Sequence, residues 1–143
     1  MILKGNYTSG GTLPNFWALY DGNPDLVGAT IHKLDKGLDS GDILYHAFPP
    51  IKKVDGFLLG MLAVKSAHSS LVDYIKEKKL VNFDAVKQNK ELEIRYTRSR
   101  DFTDEIAEKY LNNLPSIEYI HKKCTERDMR DMNRFLNPYI FSE

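Results

Sequence analysis

Several groups of residues in this chain have types and spacing that suit chemistry. The first is His32 with the turn Asp39-Ser40-Gly41, where Asp39 follows His32 by seven residues. A carboxylate on a glycine-bounded turn between two strands sits where backbone can approach a ligand closely. The bland alternative is an ordinary Asp-Ser-Gly turn, in which the aspartate caps its own backbone. A lone strand histidine is usually a structural hydrogen-bonder. The second group is Arg95, Arg98 and Arg100 around Tyr96. Such arginines suit a phosphate, and a solvated surface is the plainer reading. The third is His121 and Cys124, three residues apart on one helical face. Two ligands do not make a zinc site, so no metal is expected. Asn15 and Asp35 read as turn or surface groups, and Trp17 as core.

These residues need a scaffold, and the hydrophobic pattern supplies one. Residues 6 to 11 read as a loop, and Leu13 to Tyr20 as a short buried helix ended by Asp21-Gly22-Asn23-Pro24. The alternation of Val27, Ala29 and Ile31 predicts a strand from Val27 to Leu34. Gly37 to Gly41 is a turn, and Ile43 to Phe48 a second strand stopped by Pro49-Pro50. Asp55 to Lys79 is the strongest helix, with Phe57, Met61, Val64, Leu71 and Ile75 near one face. A third strand is expected at Leu92 to Thr97, and then a helix capped by Asp101 and running to about Asn113. Pro115 or Ser116 opens a last helix carrying Ile117, Ile120, Cys124, Met132 and Phe135, and Pro138 ends it. The mixture is α/β or α+β, with no clear linker and no repeat.

The totals narrow the class. The chain has 143 residues, enough for one domain that buries roughly two-thirds of its unfolded surface. Lys plus Arg and Asp plus Glu each number 20, which gives no electrostatic reason to expect a nucleic-acid or membrane partner. The single cysteine rules out an intrachain disulfide and argues against a disulfide-stapled secreted domain. The first residues carry no apolar run of signal-peptide or membrane-span length, so a cytoplasmic location is expected.

The stretch Leu13 to Leu44 reads LPNFWALYDGNPDLVGATIHKLDKGLDSGDIL. It resembles the core signature of the formyltransferases that use 10-formyltetrahydrofolate, whose members act on glycinamide ribonucleotide, methionyl-tRNA and nucleotide-linked amino sugars. The pieces are Trp17-Ala18, Gly28-Ala29-Thr30-Ile31-His32, Asp39-Ser40-Gly41 and Ile43-Leu44, in the family's order and spacing. This agreement is far more specific than any single short motif.

The resemblance implies an α/β fold: part of a formyltransferase-type, Rossmann-like sheet with flanking helices and a helical C-terminal segment. It implies one unit over 1–143, the later part of a catalytic domain, with 92–143 as a family-specific extension. The activity implied is formyl transfer from 10-formyltetrahydrofolate to a small-molecule amine, best matched by a nucleotide-linked amino sugar. Asp39 takes the family's catalytic Asp position. His32, as a supporting histidine, Ser40 and Gly41 fall at the ligand. The family's catalytic Asn and His belong to an Asn-x-His-x-Ser-x-Leu-Pro segment, which the alignment places before Met1. Activity is therefore expected to need an upstream or partner segment. The alternative is a non-catalytic binding or assembly module derived from such an enzyme. Either way, a homo-oligomer or a missing N-terminal half is expected to cover the open sheet edge.

Overall fold

The computed structural model describes residues 7–9, 14–37, 41–129 and 137–142. Among them the architecture is mixed α/β: four helices, a three-stranded mixed sheet and a separate two-stranded pair. Strand β2 (Ala29–His32) runs antiparallel to β3 (Ile43–Phe48), and β5 (Tyr139–Ile140) lies parallel on the other side of β3. Strand β1 (Tyr7–Ser9) pairs parallel with β4 (Arg95–Thr97).

Helix α1 (Pro14–Tyr20) ends as its sequence dictates. Gly22 takes φ +77°, which a residue with a Cβ resists. The amide of Asn23 then reaches back to the Ala18 carbonyl at 2.8 Å and closes the last turn. Strand β3 is the central strand, and Tyr45, His46, Ala47 and Phe48 are all buried. One core cluster joins Trp17, Leu19, Leu26, Val27, Phe48, Leu59, Ile120 and Cys124. A second gathers Ala29, Tyr45 and Ala47 under Tyr74, Leu80, Phe83 and Tyr139.

Helix α2 (Gly56–Lys76) starts where Asp55 Oδ1 accepts the Leu58 amide at 2.8 Å, a cap worth about 1 kcal/mol. Its packing corrects the sequence reading. The large apolar residues Phe57, Met61, Val64 and Ile75 are exposed. The helix instead buries Leu59, Leu62, Ala63, Ser66 and Ser70. Small residues let the helix lie close to β3, and their hydroxyls are satisfied there. Ser66 donates to the Phe48 carbonyl at 2.7 Å. Ser70 donates to the Ala67 carbonyl, which leaves its oxygen to accept the Tyr45 hydroxyl at 2.9 Å. Apolar periodicity selects the larger residues and cannot weigh serines that find partners.

Other boundaries also move. Tyr7–Ser9, expected as loop, is strand β1, and β4 is confined to Arg95–Thr97. Helix α3 (Asp104–Asn112) is capped by Thr103 and not by Asp101, which accepts the Arg98 amide within a preceding 3-10 turn. Helix α4 (Ile117–Met129) follows Ser116, whose Oγ accepts the Tyr119 amide at 3.1 Å. Met132 and Phe135 lie outside the described residues. Strand β5 had no forerunner in the sequence pattern, because two residues carry no periodicity. No helix among the described residues is long and apolar enough to cross a membrane.

Candidate functional site

The β2–β3 hairpin carries two pieces of the stretch singled out above, Ala29–His32 and Ile43-Leu44. Ile31 pairs with Tyr45, but His32 pairs with Ile43, so β3 holds one extra residue at this point. Such a bulge sharpens the local twist and re-aims the side chains that follow it. His32 is therefore the last paired residue of β2, just beyond the bulge, where the chain enters the connection to β3. Its Nδ1 lies 2.9 Å from the Lys33 carbonyl oxygen. A carbonyl only accepts, so Nδ1 carries the hydrogen, and in the neutral ring Nε2 is the acceptor.

Gly41 meets the same carbonyl from the other arm. A Cβ on Gly41 would overlap the Lys33 carbonyl oxygen and come within 3.3 Å of His32 Nδ1. Glycine is thus required by close backbone approach. The arms are tied by the Lys33 amide, which donates to the Asp42 carbonyl at 2.9 Å. Two of the four sequence-derived site residues, His32 and Gly41, are brought together in this way. Asp39 and Ser40 lie outside the described residues. Asp35 accepts the Gly37 amide at 2.9 Å and serves as a turn residue on the exposed side of the connection.

A segment invisible to motif reading braces the hairpin from outside. Val86 and Ile43 exchange two backbone hydrogen bonds, of 2.7 and 2.9 Å. Gln88 Nε2 donates to the Gly41 carbonyl at 2.8 Å. The segment is held in turn by Leu80 and Phe83, which pack on the second cluster, with Phe83 5.2 Å from the Tyr45 ring. Irregular backbone of this kind has no period to find, so the sequence offers no signal for Gln88. Thr30, inside the signature strand, has a buried hydroxyl without a hydrogen-bond partner among the described residues.

The remaining candidates resolve into structural roles. Asn15 accepts the Gly28 amide at 3.2 Å, linking α1 to the start of the signature strand. Arg95 forms a two-pronged ion pair with Asp21, at 2.6 and 2.8 Å, and lies over the Trp17 ring. Arg98 lies over Tyr96. Cys124 is buried, burial pushes its thiol up, and its Sγ faces the Pro24 carbonyl. Buried Arg127 stacks on Phe48 and reaches the Asp25 carbonyl at 3.3 Å. Among the described residues, no group of three or more His, Cys, Asp or Glu is placed to hold a metal ion. A cleft of about 490 Å³ opens between α1, α3 and α4, walled by Tyr20, Tyr110 and Tyr119, and neither His32 nor Gly41 lines it.

No family model, curated protein or solved structure matches the chain.

Proposed function

We propose that the chain is the later part of a folate-dependent N-formyltransferase, transferring formyl from 10-formyltetrahydrofolate to the amine of a nucleotide-linked amino sugar. The observation that supports this reading is the meeting of two pieces of the signature. His32 and Gly41 converge on one carbonyl, that of Lys33, and in the sequence Asp39 is two residues before Gly41. In this reading the larger sheet is Rossmann-like and is completed by upstream strands.

The chemistry asks for three groups. The amine nitrogen attacks the formyl carbon, a C–N bond forms, and the carbonyl oxygen becomes negative. The bond from carbon to the folate nitrogen then breaks, the amine sheds a proton, and the leaving nitrogen takes one up. An Asn amide and a protonated His stabilise the oxyanion, and a carboxylate favours the imidazolium and helps carry the proton. This chain offers the carboxylate, Asp39. His32 is held beside the turn through its Nδ1 contact with the Lys33 carbonyl. The Asn and the catalytic His are assigned to the upstream segment, so the residues in hand fit only part of the folate's needs.

The test follows directly. Purified residues 1–143 should show no formyl transfer to an amino sugar above the buffer rate, since positioning all three groups is where most of the rate arises. Measurable turnover by 1–143 alone would mean that another residue, with His32 the first suspect, has taken the missing role.

A second reading is favoured by α2. Phe57 (79% exposed), Met61 (51%), Val72 (50%) and Ile75 (62%) place apolar side chains in solvent along one helix. Such a stripe is expected to be covered by association, which suits an assembly module. Sedimentation should show self-association that Met61→Glu with Ile75→Glu abolishes. A clean monomer at high concentration, binding no apolar dye, would eliminate this reading.

A further inference from the structure

We propose that the cleft between α1, α3 and α4 is a binding site for a small planar aromatic ring that bears a carboxylate. Its space of about 490 Å³ lies within the range of small-molecule sites. Each helix contributes one tyrosine wall. Tyr20 ends α1, Tyr110 stands in α3 and Tyr119 in α4. Leu19 and Pro115 add apolar lining. The walls are set before any ligand arrives. Tyr20 and Tyr110 both stand against Phe16, at ring-centroid distances of 5.9 and 4.9 Å, and Trp17 meets Tyr20 at 5.4 Å. The Tyr119 hydroxyl donates to the Gly22 carbonyl at 2.8 Å, which ties α4 to the turn after α1. Asn113 Nδ2 donates to the Lys109 carbonyl at 2.8 Å and fixes the end of α3. Rings already held in this way lose little freedom when a ligand enters.

Shape and charge choose the chemistry of the ligand. Three tyrosine rings offer a flat ring stacked and edge-to-face contacts. Tyrosine walls alone would equally suit a quaternary ammonium, and charge decides against it. Among the described lining residues Lys109 is the only charged one. Its Nζ lies 5.7 Å over the Tyr20 ring, so a cation already stands at the aromatic wall. The walls supply no counter-charge. Burial, and after it the Asp55 carboxylate, push the Tyr110 hydroxyl up, so that wall stays neutral. A second cation would meet repulsion, whereas a ring-borne carboxylate would meet the lysine. Lysine is a point charge on a flexible stem and can follow such a group. One positive charge matches one negative charge, which favours a carboxylate over a phosphate dianion. Neither His32 nor Gly41 lines the cleft, so the proposal stands apart from the formyl-transfer reading.

The test titrates 2-naphthoate into residues 1–143 and follows the tyrosine ring signals by NMR. The signals of Tyr20, Tyr110 and Tyr119 should shift together and saturate, with a Kd of about 1 mM or tighter, ordinary for a ligand of this size. Those of Tyr45, Tyr74 and Tyr139, in the second core cluster, should stay in place. The cationic analogue 2-naphthyltrimethylammonium should bind about tenfold more weakly or worse, because it meets the Lys109 charge. Lys109 is exposed, so its replacement leaves the fold intact. Lys109→Gln should weaken 2-naphthoate about fivefold, the scale of an exposed ion pair, and leave the neutral 2-naphthamide unchanged. Tyr119→Leu, checked for an unchanged Tm, should weaken the carboxylate and the amide alike, since both lose a wall. Three results would each overturn the proposal. They are no saturable shift at the three tyrosines by about 10 mM probe, binding of the ammonium as tight as that of the carboxylate, and an unchanged 2-naphthoate affinity in Lys109→Gln.

Discussion

Gly41→Ala is expected to destabilise the protein, while the same change at Gly60 stabilises it. At Gly41 the new methyl would overlap the backbone of Lys33, and backbone cannot rotate away as a side chain can. Overpacking of this kind costs about 3 kcal/mol, or roughly 10 °C in Tm for a chain of this size. Gly60 lies inside α2, and a Cβ there meets nothing within 4 Å. Replacing glycine by alanine in an open helix interior gains about 0.5–1 kcal/mol. Calorimetry on the two variants should therefore move Tm in opposite directions. If Gly41→Ala melts with wild type, the hairpin arms are not in the described contact, and the site loses its frame.

The second large effect concerns Asp39. In a form carrying the upstream segment, Asp39→Asn should cut turnover on the order of a hundredfold while Tm stays put, the scale of lost general acid–base help. Asparagine keeps the size and can still accept a hydrogen bond in a turn, but it cannot favour an imidazolium or accept a proton. Asp35→Asn is the control. Asp35 accepts the Gly37 amide through Oδ1, asparagine keeps that oxygen, and turnover should hardly change. Wild-type turnover in both variants would reduce Asp39 to a turn residue. An equal fall in both would show that the connection responds to any change of charge and that Asp39 has no special part.

Much of the frame was legible because it is local. Alternation marked β2, Pro49-Pro50 stopped β3, the Asp21-Gly22 turn closed α1, and Pro115 or Ser116 opened α4, each by chemistry within a few residues. What escaped depends on partners distant in sequence. The buried face of α2 is chosen by Ser66 and Ser70, whose hydroxyls are acceptable only because Phe48 and Tyr45 answer them. Strand β1 exists because Tyr7–Ser9 finds Arg95–Thr97 far along the chain. Arg95 suits a phosphate and reads more plainly as solvated surface, and it is Asp21, 74 residues away, that it pairs with. At the site, the motif marked His32 and Gly41, but not the carbonyl on which they converge. Gln88 reaches them across 47 positions and belongs to no pattern.

The claim that residues 28–44 form the later half of a formyl-transfer site has one direct measurement. Residues 1–143 should be joined to an upstream segment bearing Asn-x-His-x-Ser-x-Leu-Pro, and transfer of labelled formyl from 10-formyltetrahydrofolate to a nucleotide-linked amino sugar followed for the joined form and for each piece alone. The account predicts transfer by the joined form and none by either piece. A folded joined form that moves no formyl group to any amine offered, or one no faster than the upstream segment alone, would contradict it.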